Sequence, residues 1–184
     1  MANAKPPSKI KYSFPPFVPN GARLIILGTL PGEESLRLQQ YYAYPRNHFW
    51  GLIAALSERP LPPSFPERVA LLKANRWALW DVLEGAERIG SSDAAIRNPT
   101  ANAFGDFFAA HSEIKTVAFN GQKARDLFRR YVLKPGIVSQ DRLTAITLPS
   151  SSPLHTIPFE EKLAVWRKEL SAYLPSARQN RRAK

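Results

Sequence analysis

The chain has 184 residues and no cysteine, with 26 Lys plus Arg against 15 Asp plus Glu, a formal net charge of +11 and a pI near 10.2. No apolar run approaches the ~20 residues of a bilayer crossing, the N-terminal "MANAKPPSKIKYSFPPF" lacks the continuous apolar stretch of a signal peptide, and disulfides and thiolate metal sites are excluded. The basic excess favours a polyanionic partner, because releasing counterions from phosphates drives association.

Residues 1–20 carry five prolines and three lysines and read as an extended N-terminal arm. "ARLIILGT" reads as a buried strand closed by Gly28. "PGEESLRLQQYY" reads as a loop or short irregular helix, and "HFWGLIAALSE" as a strong helix. After the proline-rich break "RPLPPSFP", "PERVALLKANR" has helical periodicity. "WALWDVLEGAER" reads as a short strand entering a turn around Asp81. "TANAFGDFFAAHS" reads as a helix with Phe104, Phe107 and Phe108 on one face, "IKTVAFNG" as the second clear strand, and "QKARDLFRRYVL" as a helix. "DRLTAITLPSSSP" reads as a last strand with a polar turn, and "TIPFEEKLAVWRKELSAYL" as the closing helix. A single domain over residues 21–175 is expected, followed by a basic tail, "SARQNRRAK", at 176–184.

Strands alternating with helices predict an α/β fold, a three-layer α/β/α arrangement around a central, mainly parallel four-stranded sheet. In such sheets ligands sit beyond the carboxyl ends of the strands. Three strand ends are therefore candidates: "GTLPG", "FNG" and "LPSSSPLHT". Each also has a plain reading. The first two are common turn sequences, and the third can start a helix with Thr156 as N-cap and Pro158 in the first turn. Asn47, directly ahead of an apolar helix, can be its N-cap. Its neighbours suit something else: Tyr41, Tyr42 and Tyr44 beside Arg46 and His48 combine stacking surface with cations, which fits bases and phosphates. A carboxamide presents two donors and an acceptor, enough to position a water or read a base edge.

Taken together and in this order, the three strand ends resemble the uracil-DNA glycosylase superfamily, over about Leu24 to Leu170. In particular, Gly28-Thr29-Leu30-Pro31, Tyr41-Tyr42 and Pro45-Arg46-Asn47-His48-Phe49-Trp50 resemble the first-motif block of the hypoxanthine-DNA (deoxyinosine) glycosylase family. The mismatch-specific uracil and thymine glycosylases are similar too, but the asparagine of their Gly-Ile-Asn-Pro-Gly motif is replaced here by Leu30. The aspartate of the classical uracil enzymes is also missing. The hypoxanthine branch uses the asparagine of its Pro-Arg-Asn block, so the resemblance places the catalytic role on Asn47. A second departure is Ser152-Pro153-Leu154-His155, where that branch tends toward Ser-Pro-Ala-Asn.

What the resemblance implies is hydrolysis of the N-glycosidic bond of a deaminated base flipped out of DNA, hypoxanthine first and uracil second, with Asn47 orienting water. Gly28, Thr29, Tyr42, Phe49 and Asn120 would form the base pocket. Arg46, Ser150, Ser151, Ser152, Pro153, Leu154 and His155 would meet the DNA, Leu154 as a wedge. Asp81 and Asp93 receive no chemical role. No cofactor and no metal are expected, and no lysine sits at these motifs, which predicts base release without strand scission. A monomer acting on DNA away from membranes is expected, in the cytoplasm of a bacterial-type cell and associated with the nucleoid. The alternatives are a mismatch-specific uracil/thymine enzyme, a catalytically inactive DNA-binding relative, and a small-molecule enzyme acting on nucleosides or nucleotides.

Overall fold

The computed structural model describes residues 10–174; part of the expected N-terminal arm (1–9) and the whole expected basic tail lie outside the described residues. Seven strands are present among the described residues: β1 (Ile10–Tyr12), β2 (Leu24–Gly28), β3 (Trp77–Asp81), β4 (Leu83–Glu87), β5 (Arg97–Ala101), β6 (Thr116–Asn120) and β7 (Thr144–Leu148). The α-helices are α1 (Glu33–Leu38), α2 (Phe49–Leu56), α3 (Phe65–Asn75), α4 (Phe104–Ala110), α5 (Gln122–Phe128) and α6 (Phe159–Glu169).

β2, β3 and β6 are buried along their whole length, as expected for strands covered on both faces. They join β7 in a parallel sheet of order β3-β2-β6-β7. Side-chain alternation along β2 divides the core in two. Ile25 and Leu27 face a cluster with Phe104, Phe107, Phe108 and Phe128 from α4 and α5. Leu24 and Ile26 face Phe49, Trp50, Leu72 and Trp166 from α2, α3 and α6. The sheet is thus sandwiched between two helical layers, the expected α/β/α arrangement. Registers pair Gly28 with Asp81, Leu27 with Phe119 and Asn120 with Leu148, so the strands end level with one another.

Three expectations are corrected. "WALWDVLEGAER" is two strands, not one strand and a turn: β3 runs to Asp81, and β4 leaves the parallel sheet to join β1 and β5 in an antiparallel sheet of order β1-β4-β5. Polar β5 ("RNPTA") and Gly85 within β4 hid this sheet from a hydrophobic pattern. Gly85 lets the Tyr12 ring lie close, since a Cβ would stand 3.0 Å from it. The N-terminal segment joins the folded body from Ile10, not residue 21: Ile10–Tyr12 pair with Gly85–Glu87, and Phe17 exchanges two backbone hydrogen bonds of 2.9 Å with Leu79. Thr156 does not cap α6, which begins at Phe159 behind Pro158 with no side-chain cap. No helix among the described residues is long and apolar enough to cross a membrane.

Candidate functional site

The level carboxyl ends of β2, β3 and β6 bring Gly28, Asp81 and Asn120 side by side. Tyr42 completes the group. Its φ of +52° is a left-handed conformation costing a non-glycine residue about 1–2 kcal/mol. Two contacts offset that cost: the ring stacks on Phe49 at 3.9 Å and 15°, and the hydroxyl accepts from Asn120 Nδ2 at 3.0 Å. Gly28 permits the convergence, since a Cβ there would lie 2.5 Å from Asp81 Oδ1 and 2.6 Å from Tyr42 Oη.

Both amide donors of Asn120 are used within the protein. Its Nδ2 also donates to Ser151 Oγ at 2.8 Å, and its Oδ1 accepts from Ser151 N at 2.8 Å. Ser151 is completely buried, so it braces the serine loop from behind and is not at its surface. Ser150 and Ser152 shape the same turn: Ser150 Oγ accepts from Ser152 N and Ser152 Oγ from Leu154 N, both at 3.2 Å. Leu154 is 71% exposed, and His155 is exposed beside it.

The first loop is held from below by a buried cation. Arg88, 2% exposed, donates to the carbonyls of Leu30 (3.2 Å) and Pro31 and to Asp93 Oδ1 (3.3 Å). Asp93 Oδ1 in turn accepts from Thr29 Oγ1 at 2.8 Å. Leu30 is 6% exposed and packs in the core with Ile25, Leu27 and Trp80. Its side chain therefore plays no part at the surface of the site.

Asn47 stands half-buried at the start of α2, where its Oδ1 accepts from Phe49 N at 2.9 Å. That is the geometry of a side-chain cap, although the helix boundary falls at His48. The block is anchored on both sides: His48 N donates to Ser151 O at 3.0 Å and Trp50 Nε1 to Tyr41 O at 2.9 Å. A cleft of about 340 Å³ opens between it and the serine loop, lined by Pro45, Arg46, His48, Pro153, His155, Thr156 and Ile157.

Burial dominates the electrostatics. It pushes the Asp81 carboxyl up to about 7, opposed by a hydrogen bond from Ser13 Oγ at 3.1 Å. It also raises Asp93, against the Thr29 hydrogen bond and the Arg88 charge. The Tyr41 and Tyr42 phenols are pushed up by burial and by the Asp81 charge, so both stay protonated. His48 is lowered by burial and then by the Lys162 charge, which keeps its ring neutral at pH 7. Among the described residues, no group of three or more His, Asp or Glu is arranged to hold a metal ion.

The structure thus brings Gly28, Tyr42, Phe49 and Asn120 together, with Thr29 tied to Asp93 one residue away. Arg46, Pro153 and His155 share the cleft, and Leu154 projects beside it. Phe49 is fully buried beneath Tyr42, so the ring offered toward an incoming group is Tyr42. Sequence reasoning missed Ser13, Arg88 and Lys162. Ser13 and Arg88 lie 68 and 58 residues along the chain from Asp81 and Leu30; Lys162 is only 10 residues from Ser152, but a charged side chain in a polar segment gives no sign of burial.

The family model described as the uracil DNA glycosylase superfamily matches residues 15–171. Two curated relatives are named hypoxanthine DNA glycosylase. One, from Methanosarcina barkeri, is 36% identical over 115 residues, covering 62% of this chain and 73% of the relative. The other, from Methanosarcina acetivorans, is 37% identical over 116 residues with the same coverage. A solution NMR structure from Methanosarcina acetivorans, provisionally described as a uracil DNA glycosylase, aligns with a TM-score of 0.70 and 31% identity, covering 87% of this chain and 98% of that one. The chain belongs to the uracil DNA glycosylase superfamily.

Proposed function

We propose that the protein hydrolyses the N-glycosidic bond of hypoxanthine in DNA, with uracil as the second base, and leaves an abasic site. Family membership makes it a DNA N-glycosylase acting on deaminated bases; hypoxanthine is supported by the names of the two curated relatives. The observation that carries the role of Asn47 is its position between Arg46 and His48, which line the cleft, while Leu30 is buried and both amide donors of Asn120 are used internally.

The extruded nucleotide enters over the ends of β2 and β6, where Tyr42 offers its ring and Gly28 lets the Asp81 carboxyl and the Tyr42 hydroxyl converge. The bond from C1′ to the base breaks with its electron pair on the base, and positive charge builds on the sugar. A water oxygen attacks C1′ and its proton passes to solvent. Asn47, fixed in orientation by its hydrogen bond with Phe49 N, retains two amide donors and an acceptor lone pair with which to hold that water. Phosphates along Arg46, Ser150, Ser152 and His155 stabilise the sugar cation, and Leu154 fills the gap left in the duplex. Lys162 is wholly buried and Lys11 is tied to Glu33 at 3.1 Å, which supports chemistry without a Schiff base.

The test is base release from duplexes carrying hypoxanthine, uracil, xanthine or a thymine mismatch. Hypoxanthine should leave fastest, and Asn47→Ala should slow release by about 10²–10³-fold. Undiminished release by that variant removes Asn47 from the chemistry. A borohydride-trapped adduct contradicts the monofunctional reading, and DNA binding without release of any base points to an inactive relative.

A further inference from the structure

Lys162, in the first half of α6, is completely screened from solvent, yet among the described residues no carboxylate pairs with it. Its Nζ donates to Ser152 O at 3.1 Å, one acceptor for three ammonium donors. Glu160 and Glu161, in the first turn of the same helix, are exposed and form no ion pair with it. An ammonium withdrawn from water without a counter-charge is costly. A charge held in that way near a cleft is a candidate functional group.

Ser152, whose carbonyl takes this ammonium, is followed by Pro153, which lines the 340 Å³ cleft. Arg46 and His48 line the cleft from the block ahead of α2 and His155 from the serine loop, and no carboxylate is among the described residues that line it. His48 Nδ1 is buried with no hydrogen-bond partner, and the His48 ring feels the Lys162 charge. The cleft is therefore lined by an arginine and two histidines, with unmet hydrogen-bonding capacity at His48 Nδ1, and the hidden lysine is held by the carbonyl of Ser152, next to the lining residue Pro153.

Resting on the glycosylase reading, we propose that this cleft seats one backbone phosphate of DNA beside the extruded nucleotide, and that Lys162 provides the opposing charge from its place on the Ser152 carbonyl. Lys162 is a positioning residue: it holds the Ser152 carbonyl and acts on the phosphate at a distance. Arg46 and His155 meet the phosphate directly.

Lys162→Gln separates the two parts of this role, because glutamine keeps a donor for the Ser152 carbonyl and removes the charge. The probe is a duplex with a tetrahydrofuran abasic analogue, which has no base to release, so the result does not depend on excision. The variant should bind about tenfold more weakly, with the slope of log Kd against log salt reduced by about 0.9. Its melting temperature should equal or exceed that of the wild type, since an uncompensated buried charge has gone. Unchanged affinity overturns the proposal, and a lower melting temperature with unchanged affinity identifies Lys162 as a structural brace. Should the variant not fold, wild-type melting decides: phosphate must raise it more than chloride at equal ionic strength, and equal effects overturn the proposal. Absence of base release from every duplex, with the Lys162→Gln binding loss intact, removes the glycosylase reading and leaves the phosphate seat standing.

Discussion

At the carboxyl end of β3, Asp81 keeps a buried carboxyl whose side-chain hydrogen-bond partner is a hydroxyl, that of Ser13, rather than a cation. Arg88, the nearest candidate, is engaged by Asp93 and two carbonyls. A folded-state pKa pushed up to about 7 against an unfolded value near 4 means that the folded protein binds the proton more tightly. The stabilisation is therefore fully present below about pH 4 and is lost as pH rises to 7. Asp81→Asn should leave stability unchanged near pH 4 and raise it above pH 7, by on the order of 2–4 kcal/mol. Urea unfolding at the two pH values measures this, and a pH-independent difference would refute it. Asn47 shows the complementary lesson. The same carboxamide is a helix cap and the proposed water holder, because one hydrogen bond fixes its plane and leaves its other groups free.

Among the elements, α3 shows local chemistry setting a boundary. Ser64 Oγ accepts from Glu67 N at 3.4 Å while Ser64 N donates to Glu67 Oε2 at 3.2 Å, a reciprocal capping box with Pro66 in the first turn. Ser64→Ala should lower stability by about 1 kcal/mol without altering base release, because α3 packs through Phe65 on Trp50 and none of its residues lines the cleft. Chemical denaturation alongside an excision assay checks both halves, and a loss of excision beyond the unfolded fraction would contradict them. α2 depends more on tertiary contacts: its start is set by Asn47 and by His48 N bonded to the serine loop. β1 and β5 have almost no apolar signature of their own; they exist as strands because β4 lies between them.

Over the whole molecule, the net charge of +11 makes association with DNA strongly dependent on salt. Affinity for a lesion duplex should fall at least about tenfold between 50 and 200 mM salt. Fluorescence anisotropy across that range gives the slope, and an affinity insensitive to salt would exclude phosphate contacts as the main source of binding. The sheet gives this charge its direction, because every parallel strand delivers its carboxyl end, and the loop that follows, to one edge.

Much of this was legible in the residues alone. Continuous apolar runs such as Leu24–Leu27 announced doubly covered strands, the 3.6-residue spacing of α2 and α3 announced helices, and "YYAYPRNHFW" announced a site by collecting aromatic, basic and carboxamide groups ahead of an apolar run. These signals are local, so neighbouring side chains suffice to show them. The tertiary structure alone decided which of those groups remain free. It turned Ser151 inward, engaged both amide donors of Asn120, drew Leu30 into the core, and buried Arg88, Asp81 and Lys162. Burial and pairing depend on residues far apart in the chain, and a polar side chain carries no mark of the neighbours that folding will give it.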